Sequence, residues 1–350
     1  MNGLAVYATR VGAGPERLLF VRALLEALAA GPDKEVAAFL LTQVQLAGKA
    51  EAVAPMAKYL KDEALSGPAA AAIRTIGGDE AARILLKALD AAPPAARLSI
   101  VDALGGMRSP GAVKKLLALA ESGDEPLRRA ARSALADIGD PAAAPALSKV
   151  PIDASYAERT EAPSLYLRFA RRLAEAGKTA EALAAARSVL GSYTGPAESQ
   201  VASEALALVV STLADKAVPD VLCAAGSPVP GLRGAALELA TSLGGKETTT
   251  RWVEKAAASE PGLRAAILSM LGRRGDATAL PFVRESLRSP DGVVRLAAIP
   301  AAARLGGESV MPDLLGLIGK EDEREVGALK TALLGFNGRR VVPEALRLLD

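Results

Sequence analysis

The chain has 350 residues, 50% of them hydrophobic but only 3% aromatic, and its 42 Lys and Arg against 40 Asp and Glu leave a formal net charge of +2. So little aromatic bulk excludes one large compact core, and so small a charge excludes a strong overall field for a polyanion or an anionic membrane. With no histidine the chain cannot supply a His-based triad, general base or metal ligand, and its single cysteine, Cys223, can close neither an internal disulfide nor a zinc site.

In chain order, Leu4-Ala5-Val6 near the start has no basic stretch ahead of it, so no signal peptide is expected. No later apolar run reaches the roughly 18 to 20 residues that a membrane span needs, so no membrane insertion is expected, and a complete chain would be cytoplasmic. From residue 47 onward an apolar–Gly step recurs: Ala47-Gly48, Ile76-Gly77, Leu104-Gly105, Ile138-Gly139, Ala176-Gly177, Leu243-Gly244, Arg274-Gly275 and Leu305-Gly306, with Phe336-Asn337 and a Gly-less copy at Leu213-Ala214. The spacing, near 31 residues over most of the chain, predicts about ten units, each a helix A, a tight glycine turn and a helix B. Gly139 and Gly275 are expected at positive φ, and Gly105-Gly106, Gly244-Gly245 and Gly306-Gly307 are read as turn glycines.

Before the glycine, residues 127–138 place apolar side chains at helical spacing. After it, Pro145, Pro281, Pro312 and Pro343 stand six residues on, Pro55 seven and Pro219 five. Proline suits only the first helical turn, so these prolines are expected to open helix B. Ser289-Pro290-Asp291-Gly292 exemplifies the polar links between units.

Stretches such as 126–147 and 293–315 resemble HEAT repeats, in particular the short bacterial type also found in phycobilisome lyases. The resemblance covers nearly the whole chain and implies an all-α, right-handed α–α superhelix, an α-solenoid, as a single domain over 1–350. Residues 151–200 stretch the period, and 166–190 resemble a tetratricopeptide helix pair.

Counting from the proline, or from its aligned substitutes Arg83, Lys114 and Arg251, the second following position is apolar throughout (Ala57, Leu85, Leu116, Leu147, Val221, Val253, Val283, Leu314, Ala345) and is predicted to face the core. The first and fourth positions mix charge with large apolar groups and are read as one exposed face. In HEAT-like superhelices helix B lines the concave side, so the resemblance places this face in the groove, where a protein or peptide would bind. Candidate contacts are Tyr59, Lys87, Lys115, Lys149, Trp252, Lys255, Phe282 and Arg284. Trp252 and Phe282 would form a binding hot spot if exposed and belong to the core if not. The lysine row Lys87, Lys115, Lys149 and Lys255 would attract an acidic protein or phosphates, or is simply a solvated face.

Arg128, Arg233, Arg264 and Arg295, each eleven residues before an anchor glycine, are expected to bond an Asp or a carbonyl of the neighbouring repeat. Asp140 and Asp276 are possible acceptors, or caps of helix B. No phosphate-binding loop, metalloprotease helix or nucleophile elbow occurs, so no enzyme activity and no cofactor are expected. The leading reading is a noncatalytic protein-interaction scaffold. A HEAT-like nucleic-acid-binding protein akin to the alkylpurine DNA glycosylases is disfavoured by the charge balance. The HEAT segment of a longer bacterial enzyme, or chromophore attachment as in the lyases, are further alternatives. The last helix pattern, 342–350, lacks a polar cap, so Leu346 and Leu349 are expected to meet a further segment or another chain.

Overall fold

The computed structural model describes residues 2–318 and 323–336. Every regular element among them is helical, with no strand, and the helices alternate in the expected A–turn–B order. Nine complete pairs are present among the described residues, from Lys34–Ala47 with Ala50–Met56 to Gly292–Gly306 with Met311–Leu315. They are preceded by helices Asn2–Ala8 and Gly14–Ala29 and followed by Glu323–Leu334. Leu346 and Leu349 lie outside the described residues.

Local chemistry sets the helix ends. Asp33, Asp124 and Asp291 each accept a backbone N–H of the first turn of the helix they precede, and Ser155 with Glu158 forms a reciprocal capping box. Gly139 and Gly275 close helix A in the left-handed conformation at φ 68° and 74°, as expected. Pro145, Pro219, Pro281 and Pro312 sit in the first turn of their B helices, each of which is led in by a short 3-10 turn. Pro55 is different. It lies at the sixth residue of Ala50–Met56, because that helix starts directly behind Lys49, and the chain tightens into 3-10 geometry two residues later.

Glycine also has a second use that the repeat spacing hides. Gly105 and Gly106 are not turn residues but the last two of helix Pro94–Gly106; the chain reverses beyond them, with Arg108 at φ 50°. A Cβ on Gly105 would stand 2.7 Å from the Cα of Ala134, so the missing side chain lets helix A of this repeat touch the backbone of the next. Gly272 meets Ala301 in the same way, at 2.8 Å. Gly306 too is the last residue of its helix, Gly292–Gly306, rather than a turn residue, whereas Gly244 and Gly307 are turn residues at positive φ.

The chain divides into two compact units, residues 1–188 and 189–350. In the first, successive A helices pack side by side, and the core is a mostly aliphatic layer between A and B helices that includes Leu41, Ile73, Leu85, Ile100 and Leu135, with the aromatic Phe169. The second repeats the plan, with Val221, Leu268, Val283 and Ile299 in its core and Trp252 as its largest fully buried side chain. Residues 156–192 are the irregular stretch: Tyr156–Glu175 has 20 residues, longer than any other described helix, and Tyr166 stacks on Phe169 with ring centroids 5.8 Å apart.

Candidate functional site

The B helices present two faces whose phase is set by the turn glycine rather than by the proline. Eight residues after Gly48, Gly77, Gly139, Gly177, Gly244, Gly275 and Gly306 stand Met56, Leu85, Leu147, Ala185, Trp252, Val283 and Leu314, and all are buried; in Val113–Leu119, where Gly105 lies inside the preceding helix, buried Leu116 takes this place, eight residues after Arg108. Counting from the proline reproduces most of this row but shifts two helices by one residue. In Ala50–Met56 the proline comes late, and Lys246–Ala257 has none.

That shift accounts for the misplaced aromatic. Trp252 is 1% exposed and belongs to the core row, whereas Val253 is only half-buried, so Trp252 offers no ring to a partner. Phe282 is half-buried, and without Trp252 the expected aromatic pair is absent. Two more candidates are tied up within the repeat stack. Tyr59 donates its hydroxyl to the carbonyl of Leu28 at 2.8 Å, and Arg284 donates to the Ser309 carbonyl at 2.7 Å while pairing with Asp313 at 3.2 Å. Lys115 donates to the Leu86 carbonyl at 3.1 Å and to Asp90 at 2.6 Å, and Lys255 is half-buried. Lys87 and Lys149 are exposed, as expected.

The arginines of helix A are structural. Arg97, Arg128, Arg159, Arg233, Arg264 and Arg295 each stand fourth in their helix and donate back to carbonyls just before it, at the joint with the preceding repeat. The acceptors are Ala92, Ser122, Ala154, Ser227, Ala256 with Ala257 and Ser259, and Ser289 with Pro290, at 2.8 to 3.3 Å. Counting to the anchor glycine finds four of the six. Arg97 and Arg159 escape it because Gly105 lies inside its helix and Tyr156–Glu175 is long, yet a plain 31-residue step from Arg128 reaches both.

Two of these arginines also reach forward. Arg128 makes a two-pronged bond to Glu158 at 2.7 and 2.9 Å, and Arg295 pairs with Glu325 at 2.7 Å. The guanidinium of Arg128 holds the buried Glu158 carboxyl down to about 2, and the Ser155 N–H adds to the effect; Arg128 itself is raised above its ordinary value by the same bonds. Asp276 caps the 3-10 turn that follows it through the Thr278 N–H and accepts the Thr249 hydroxyl at 2.6 Å, which together lower it to about 2. Asp140 likewise accepts the Ala142 N–H. Arg274, which sequence reasoning passed over, donates to the carbonyls of Ala240, Leu243, Gly244 and Gly245 and to the Thr249 hydroxyl, and so fastens the turn of the preceding repeat.

These polar clusters join repeats to one another. Among the described residues no group of three His, Cys, Asp or Glu could hold a metal ion, and no helix is long and apolar enough to cross a membrane.

Residues 82–165 and 249–333 match the family pattern of HEAT repeats. No curated protein matches the sequence. Among solved structures, Kap121p is 14% identical over 90% of this chain and 40% of its own, with a TM-score of 0.50, so the chain spans about two fifths of that protein. Human deoxyhypusine hydroxylase in complex with glycerol is 19% identical over 81% and 95% of the two chains, with a TM-score of 0.31. The complex of CpcE and CpcF of phycocyanin lyase from Nostoc sp. is 18% identical over 79% and 92%, with a TM-score of 0.26. At such identities the likeness to Kap121p is one of fold, that of an α-helical solenoid.

Proposed function

From a chain that carries HEAT repeats at residues 82–165 and 249–333, and the same helix pair along the rest of its described length, we propose a noncatalytic interaction scaffold that holds a protein or peptide against the exposed face of its B helices. The observation that carries this reading is the division of labour within helix B. Eight residues after the glycine the side chain is buried in repeat after repeat. Two residues further on, the side chain changes freely in charge and size (Lys58, Lys87, Ala118, Lys149, Glu254, Glu285, Gly316) and is turned outward. Packing fixes the first row and leaves the second to the solvent or a partner. The conspicuous ionic groups of helix A, Arg128 with Glu158 and Arg295 with Glu325, are committed to neighbouring repeats, which supports a structural use for them rather than a chemical one.

A photo-crosslinking amino acid at Lys87, on the exposed B-helix face, compared with one at Thr42, exposed on a helix A, tests the proposal in extracts of the native source. Crosslinks to a discrete protein from position 87 and not from 42 are expected. Crosslinks from 42 alone, or from neither, would overturn it.

A further inference from the structure

Exposed apolar side chains are not scattered evenly over the molecule. Of the fifteen large ones exposed among the described residues, five stand between residues 4 and 19: Leu4, Val6, Tyr7, Val11 and Leu19, each at least 57% exposed. They belong to Asn2–Ala8, to Gly14–Ala29 and to the turn between them. Both helices pack on Lys34–Ala47 and on each other. Ala5 and Ala8 of the first and Val21, Leu24 and Leu28 of the second are buried, and Tyr7 and Leu19 stand on the opposite sides of their helices. The patch is continuous across the turn: Arg10 lies over the Tyr7 ring, 3.7 Å from its centroid, and pairs at 3.3 Å with Glu16, one helical turn before Leu19. A face that a repeat protein leaves to water is polar, whereas this one presents apolar surface on the order of 500 Å², the upper end of what a lone chain exposes.

We infer that a second copy of the chain covers this face, with Gly14–Ala29 packed antiparallel on Gly14–Ala29 about a two-fold axis at Leu19. Charge and size along the helix fit that axis. Glu16 and Arg22 stand three residues to either side of Leu19, so each Glu16 meets Arg22 of the other copy and the two leucines meet each other. Pro15 and Ala23, four residues to either side, pair in the same way, and the small alanine lets the helices approach. All five residues are exposed. Arg22 makes no ion pair among the described residues, and the Glu16 side chain, 52% exposed beside Arg10, has room for a second guanidinium. A head-to-tail contact needs a second, different apolar face, whereas a two-fold contact is satisfied by this one alone. With Pro15, Ala23 and the Arg22 stem added to the five apolar side chains, the face approaches the roughly 800 Å² per partner that a stable interface buries. The inference does not depend on the scaffold reading.

The test follows the full chain by sedimentation equilibrium from about 1 to about 100 μM, where a reversible dimer is expected. Leu19→Glu removes the central leucine from both copies and sets two carboxylates across the axis. It should weaken the dimer by about a hundredfold or more without changing helicity, because Leu19 is exposed in the single chain. Arg22→Glu should weaken it several-fold, and Arg22→Glu together with Glu16→Arg should restore it. The geometry is read separately in a Cys223→Ser background, which removes the native thiol. There Leu19→Cys should give a disulfide-linked pair under mild oxidation, while Thr42→Cys, exposed on Lys34–Ala47, should not. Three results would each overturn the inference: a chain that stays monomeric at about 100 μM, whether or not Leu19 then carries it onto phosphatidylcholine vesicles; a dimer or larger species untouched by Leu19→Glu; and cross-linking from position 42 as readily as from position 19.

Discussion

Replacing Glu158 by Gln keeps its shape and its ability to accept the Ser155 N–H, but removes the charge opposite Arg128. The two side chains are 6% and 3% exposed, so the guanidinium would be left buried with the Ser122 carbonyl at 2.8 Å and the more distant Asp153 at 3.6 Å. An unpaired buried charge of this kind costs about 3 to 5 kcal/mol. The lowering of Glu158 from 4.5 to about 2 corresponds independently to about 3 kcal/mol. The sign of the pH dependence follows: a carboxyl lowered on folding contributes fully above its ordinary value and loses that contribution as pH falls through about 2. Urea unfolding followed by circular dichroism should therefore show Glu158→Gln destabilised by about 3 kcal/mol at pH 7, with the gap to the native chain shrinking below pH 4.5. The double variant Arg128→Met with Glu158→Gln should lose much less than the two single changes added together. Arg129 and Glu161, 38% and 53% exposed on the same pair of helices, supply the control, since breaking an exposed pair costs less than about 1 kcal/mol. A penalty at Glu158 no larger than the one at Glu161, or one that does not shrink in acid, would refute the reasoning.

Gly139→Ala should destabilise more than Gly275→Ala in thermal melts. Both glycines have positive φ, worth about 1 to 2 kcal/mol, but a Cβ at 139 would also lie 2.6 Å from the Cβ of Arg172, while one at 275 meets nothing within 4 Å. Trp252→Ala should cost about 3 to 5 kcal/mol through the cavity it leaves while partner affinity of the folded variant stays unchanged; a binding loss without a stability loss would return Trp252 to the surface. Arg274→Leu should cost at least about 2 kcal/mol, because four carbonyls of the preceding turn lose a charged donor, and a change under 1 kcal/mol in urea unfolding would contradict that role.

The helix pairs were legible because two local rules, the left-handed glycine and the proline of a first turn, recur with the repeat. Their phase was less so. Proline tolerates several positions near a helix start, and this freedom displaced Trp252 by one place on the wheel, whereas the glycine that ends helix A fixes the rotation of helix B and puts Trp252 beside Leu147 and Val283 in the core row. Gly105 looked like a turn because spacing alone cannot tell a glycine that reverses the chain from one that admits a neighbouring backbone. Of the lysine candidates, Lys87 and Lys149 were legible as exposed residues, whereas Lys115 and Lys255 are half-buried. Arg274 was beyond reach, since its acceptors are carbonyls from the preceding repeat, and carbonyls leave no trace in a sequence.

Where an arginine stands fourth in helix A it makes the joint a small lock between one repeat and the next; Lys34–Ala47 and Ser66–Ile76 have Ala37 and Ala69 there instead. The locks come as two runs of three, at 97, 128 and 159 and at 233, 264 and 295, while helix Ser199–Leu213 has Ala202 at that place. In a linear array, unfolding spreads by nearest-neighbour coupling and stalls where coupling is weakest. Amide exchange should therefore slow in two blocks centred on the locked joints and quicken at the start of Ser199–Leu213, so that the chain loses its order as two words rather than letter by letter.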